Sequence, residues 1–300
     1  VNLDTLVVRL DEAKFQLDVH DESISWLPPN LQSLASTHEL QGDLEVSVQG
    51  LIPLQDLGAG EASASVSLTE ATFAFDEYRI PVRSLSLGAA LKEGVVRVPD
   101  LVVEALAGRI EATASLNVAS SEQKCSAKWS ITDLDLNEAM RAKDAESAMA
   151  GIVTSEGSAL FHLAEFKPTV TGTGGVRIRD GRLVFIPGLL DLVNLVKPDT
   201  EGLRGRNHRL DAQFSFEEGG IRVDNSELVT RVIAARATGL ISWEQELDLS
   251  VNAGPLEKLQ SMLGEVGNLL GKVTDQLVKY RVRGPISDPK VSVAPLGVGG

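Results

Sequence analysis

The sequence predicts a mainly β protein built from antiparallel strands, and three observations carry that expectation. Apolar and polar residues alternate over many short runs, the period of a half-buried strand. Gly, Asn, Asp and Ser cluster between those runs at the short spacing a meander needs. Val, Leu, Ala and Ile supply most of the 43% hydrophobic content while aromatics reach only 4%, so aliphatic strand faces do the burying.

The clearest strands come in the order Leu44, Val46 and Val48, then Ala62, Ala64, Val66 and Leu68. Ile110, Ala112, Ala114 and Leu116 follow, and later Leu247, Leu249 and Val251. Intervening positions hold Ser, Thr, Glu, Arg and Lys, which gives the sheet one dry face and one wet face. An echo supports a meander of similar units. Glu93-Gly94 leads through Leu101 to a strand from Gly108, and Glu218-Gly219-Gly220 leads through Leu228 to strands at Ile233 and Leu247.

Helical patterns are few. Trp26 to Ser36 contains Pro28-Pro29, a helix-opening pair, and Asn137 to Met149 is rich in helix formers. Pro255 to Leu277 predicts a longer amphipathic helix, because Leu256, Leu259, Leu263, Val266, Leu270, Val273 and Leu277 recur at steps of three and four. Gly264, Gly267 and Gly271 lie off that stripe, each weakening the helix by about 1 kcal/mol against Ala.

The most informative run is Thr171 to Val196. Val176 and Ile178, then Leu183 and Phe185, flank Asp180-Gly181, a dipeptide suited to a tight hairpin. Pro187 then ends the strand and opens an apolar helix, Gly188 to Val196, which could cap an apolar groove, gate its end or touch a membrane, but is expected rather to cover a sheet edge or end. A composition break at Ala145 to Glu156 divides the chain into sections 1–150 and 151–300.

Charge and cysteine usage exclude several classes. A net charge of −14 argues against nucleic-acid binding and against simple adsorption to an anionic membrane. The single Cys125 forms no internal disulfide and reads as a small residue on a strand. No apolar run of ~18 residues occurs to span a membrane. The start at Val1, without Met or signal peptide, is read as that of a fragment whose anchor or export signal lies elsewhere.

The order hairpin, proline, short apolar helix resembles the C-terminal region of the AsmA-like proteins, bacterial envelope proteins related to TamB and to the chorein-type lipid bridges. Around it, Trp129 to Leu136 looks like the family's strand leading into a helix, and Gly157 to Phe166 like the small-residue strand before its glycine-rich hairpin. Phe214-Ser215-Phe216 with Glu218 to Ile221, and the closing Tyr280 to Val291, match the later strands and the Pro-marked exit. The first 120 residues match only in style. The resemblance implies a long curved sheet, apolar along its concave face, anchored in the inner membrane and extending into the periplasm. It also implies phospholipid movement towards the outer membrane.

An apolar strand face either closes on a second sheet or stays open as a groove. Numerous consecutive strands, scarce aromatic plugs and the resemblance together favour a long curved antiparallel sheet forming an apolar groove. About fifteen strands at ~4.8 Å spacing would extend ~70 Å. The candidate lipid-binding residues are Val176, Ile178, Phe214, Phe216, Ile221, Val223, Leu247 and Leu249, any of which also suits plain core packing.

Other signals carry less. Arg204, Arg206, His208 and Arg209, preceded by Arg177, Arg179 and Arg182, form a basic knot that fits lipid phosphates or, preferably in so acidic a chain, a solvated surface. Gly172, Gly174 and Gly175 lack a following Walker Lys-Ser/Thr. The four histidines show no metal-ligand spacing, and Asp133 and Asp135 sit on a wet strand face without catalytic company. No enzyme, metal or cofactor is implied. The expected function is lipid conduction between inner and outer membranes, with phospholipid as partner. The alternative is a structural or assembly factor that holds outer-membrane proteins through strand edges.

Overall fold

The computed structural model describes residues 7–20, 22–27, 29–53, 59–75, 78–141, 149–183, 188–196, 207–256 and 278–294. They form one open antiparallel sheet of fifteen strands in strict sequence order, with four short helices. The chain divides into two compact units, Val1–Glu146 with Glu156–Phe166, and Ser147–Ser155 with Lys167–Gly300.

The first unit begins with β1 (Val7–Val19), a 3-10 turn (Ser23–Trp26) and α1 (Pro29–Thr37). It continues through β2 (Gln41–Pro53), β3 (Glu61–Phe75), β4 (Tyr78–Lys92), β5 (Val95–Ala105), β6 (Gly108–Asn117), β7 (Lys124–Asp135) and α2 (Leu136–Arg141). The β4–β5 hairpin turns on Glu93 at φ 51° and Gly94 at φ 70°. The β5–β6 hairpin places Leu106 and Ala107 at φ 50° and 57°, without the glycine or asparagine such a turn favours. Pro99, which has no N–H to give the ladder, lies where register slips on both flanks of β5.

β8 (Met149–His162) contributes its first half to the second unit and its second half to the first. The second unit continues with α3 (Phe166–Thr169), β9 (Thr171–Leu183), α4 (Leu189–Val196), β10 (His208–Glu217), β11 (Gly220–Val229), β12 (Ile233–Ser242), β13 (Glu246–Pro255), β14 (Val278–Pro285) and β15 (Lys290–Val293).

The structure corrects several local expectations. Asp180-Gly181 makes no hairpin. β9 runs through it unbroken, and Asp180, at φ 51°, forms a bulge between the pairs Ile178–Leu210 and Gly181–His208. The αL tolerance that suits Asp-Gly to a turn suits it equally to a bulge. The helix expected from Asn137 to Met149 is described only over Leu136–Arg141, and Met149 already opens β8. The strand expected to reach Phe166 ends at His162, while Phe166 starts α3. Of the helix expected from Pro255 to Leu277, Pro255 instead closes β13, and residues 257–277 lie outside the described residues, as do Phe185 and Pro187.

Candidate apolar binding face

Register aligns the aliphatic side chains of consecutive strands into rows. In the second unit one row reads Phe216, Ile221, Ile241 and Leu247 from β10 to β13, with Gly172 before Phe216. Two residues along each strand, the next row is Gly174, Phe214, Val223, Gly239, Leu249, Val282 and Val291. A third runs Val176, Ala212, Ser226, Ala237, Val251, Tyr280 and Val293, and a fourth begins Ile178, Leu210, Leu228 and Ala235. Ser226 interrupts the third row, but its hydroxyl donates to the Ala237 carbonyl at 3.2 Å. All eight candidate residues therefore lie on one face. Ile178 and Leu247 are buried and the other six half-buried.

The first unit carries the same construction. One row reads Leu17, Leu44, Leu68, Leu85, Val103, Ile110 and Ile131 from β1 to β7, and its neighbour Phe15, Val46, Val66, Leu87, Leu101, Ala112 and Trp129. Of the first row only Leu17 and Leu68 are buried, the remainder being half-buried, and Phe15 on the edge strand is 38% exposed. Several of these sit on strands that the sequence predicts, but none is among its lipid-binding candidates. Alternation exposed the dry side of β2, β3 and β6, but the pairing that makes rows depends on bulges no period reveals.

In each unit a helical cap covers part of this face. In the first, Leu27 and Ala35 of the 3-10 turn and α1 region pack with Leu17 and Val19. In the second, Leu189, Leu192 and Val193 of α4 pack with Ile178, Leu228, Val251, Tyr280 and Val282. The helix thus sits on the sheet's face, not at the edge or end expected for it. Its i, i+3, i+4 stripe is apolar, and a sheet face offers that stripe more contact area than an edge does. Gly188 precedes it at φ 73°, where a Cβ would come within 3.1 Å of Val291.

The opposite face is hydrated. Row mates there are Asp18, Asp43, Thr69 and Ser84 in the first unit, and Arg177, Asp211, Glu227 and Arg236 in the second. Their ion pairs, such as Arg177–Asp211 at 2.8 Å and bidentate Arg222–Glu217 at 2.8 and 2.7 Å, are exposed and add little to stability. The basic knot disperses: Arg177 and Arg209 share Asp211, His208 is buried, and Arg204 and Arg206 lie outside the described residues. Asp248 accepts from Arg281 and Arg283, and the Arg283 bond above all holds its carboxyl below the usual range. Burial pushes the Cys125 thiol and the Tyr280 phenol up.

Among the described residues, Asp133, Asp135, His20 and His38 are engaged in the fold itself. Asp135 caps α2 through the Asn137 N–H at 2.8 Å, and Asp133 occupies a positive-φ position at 55°. His38 stacks on Phe73 at 4.5 Å, and His20 bonds the Asp18 carbonyl. Among the described residues no cluster of His, Cys, Asp or Glu could hold a metal, and no helix is long and apolar enough to cross a membrane. Depressions of about 940 and 520 Å³ in the first unit have mixed charged and apolar walls. Comparison with protein-family models, curated proteins and solved structures finds no match.

Proposed function

We propose that this chain is a section of an AsmA-like cell-envelope protein that holds phospholipid acyl chains against its apolar β face and conducts them between the inner and outer membranes. The observation that carries this reading is the set of in-register aliphatic rows. Within each unit they cross consecutive strands, mostly half-buried, on a sheet to which all described strands belong. Water against such a surface is costly, and an acyl chain laid on it recovers roughly 0.8 kcal/mol per buried CH₂. A tail moving along a row meets few polar groups, so passage needs no chemical step.

Curved into a groove, the face shelters tails while the wet face stays in contact with solvent. On this reading the protein acts in the periplasm, is held to the inner membrane by a segment outside this sequence, and is not an enzyme. The test is to purify the chain from cells and identify co-purifying lipid by mass spectrometry. Phe214→Asp and Ile221→Asp should each lose lipid while keeping the circular dichroism of the parent. A lipid-free parent that retains β-barrel precursors would instead support the assembly role.

A further inference from the structure

The second unit already holds one aliphatic occupant on its apolar face. Val193 is fully buried, Leu189 and Leu192 are 2% and 5% exposed, and all three join the cluster containing Ile178, Leu247 and Val282. We infer that α4 is an intramolecular competitor for acyl chains, seated on the surface a lipid tail would use, so that lipid loading of this region and seating of the helix exclude each other. The inference rests on the lipid reading above.

Three features fit it. The α4 side chains that touch the sheet are leucine and valine, chemically the closest a protein comes to an acyl chain. The helix has only eight residues, so its hold depends on that one stripe, as isolated helices this short are not stable. Its opposite side carries Asp191 and Asn194, both exposed, which leaves the displaced helix soluble on that side. By contrast Phe214, Phe216, Ile221 and Val223 lie outside the cluster that α4 joins, so a tail bound there need not disturb the helix. Displacement belongs to the part of the rows beneath α4, from Ile178 on β9 and Leu228 on β11 to Val251, Tyr280 and Val282 on β13 and β14.

The experiment uses thiol accessibility in the full chain. Val193→Cys in a Cys125→Ala background places a thiol at the buried contact, and Leu195→Cys, at a position 49% exposed, serves as the accessible control. Each is treated with a maleimide before and after incubation with vesicles of phosphatidylethanolamine and phosphatidylglycerol, and bound lipid is quantified in parallel. The Val193→Cys thiol should react at least tenfold faster in the lipid-loaded protein, with the control unchanged. A thiol that stays protected while lipid is bound overturns the inference and leaves the lipid reading intact. Absence of lipid uptake overturns both. Should that variant misfold, hydrogen exchange of residues 189–196 in the unmodified chain gives the same answer, since the Leu192 N–H is held by the Gly188 carbonyl at 2.9 Å only while the helix is formed.

Discussion

Phe214 stands directly opposite Gly174 across the β9–β10 ladder, an aromatic side chain beside a position with none. Phe216 faces Gly172 in the same way, and the two phenyl rings meet edge-on at 5.5 Å. In a chain so poor in aromatics, this pair accounts for two of the eight phenylalanines. Phe214→Ala should cost about 1 kcal/mol, since the ring is only half-buried, and should lower bound lipid. Ser215→Ala, on the wet face, should change neither; urea unfolding and lipid mass spectrometry measure both.

Gly239 separates Val223 from Leu249 in the same row at φ 145°, and a Cβ there would lie 2.2 Å from the Asp248 carbonyl oxygen. Neither the dihedral nor the space admits a side chain. Gly239→Ala should destabilise by about 2–4 kcal/mol, visible as a fall in the thermal midpoint.

The β5–β6 turn gives the opposite case. Ala107 sits at φ 57°, a left-handed conformation costing an L-residue about 1–2 kcal/mol. Ala107→Gly should therefore stabilise the protein by about 1 kcal/mol, raising the urea midpoint with no change in slope.

Thr230 closes the β11–β12 connection from a position 2% exposed. Its hydroxyl donates to the Ile233 carbonyl at 3.1 Å and accepts from the N–H groups of Val232 and Ile233 at 3.2 and 3.0 Å. Thr230→Val keeps the shape and removes all three partners. The expected loss is about 1–3 kcal/mol, while Thr230→Ser should retain most of the stability.

Two groups give the fold opposite pH limits. The Asp248 carboxyl is held below its ordinary value by Arg283, so its contribution exists above the unfolded pKa and disappears as pH falls through the folded one. The Tyr280 phenol is raised by burial, so the unfolded chain ionises first and stability falls above the ordinary value of 10.0. Denaturant titrations should show Asp248→Asn converging with the parent at acid pH, and Tyr280→Phe resisting the alkaline loss.

Much of this was legible in the sequence. Period-two alternation located the strands, and Pro187 followed by apolar spacing located α4. Glu93-Gly94 and Glu218-Gly219 marked real hairpins. What stayed hidden were the features that depend on pairing. Asp180-Gly181 reads as a turn because turn and bulge make the same demand on φ, and only the facing strand distinguishes them. Leu17, Leu44, Leu68 and Leu85 form one row although 27, 24 and 17 residues separate successive members. An amphipathic stripe likewise says that α4 buries one side, without saying what lies beneath it.

Strict sequential order in the sheet means that each interior ribbon makes its ladder hydrogen bonds with its two chain neighbours. Removing or duplicating a hairpin, two ribbons at a time, restores both chain direction and facing at the splice. Such a scaffold can be lengthened or shortened by gene duplication without redesigning what remains, so its reach is a quantity evolution can adjust in increments of about 10 Å.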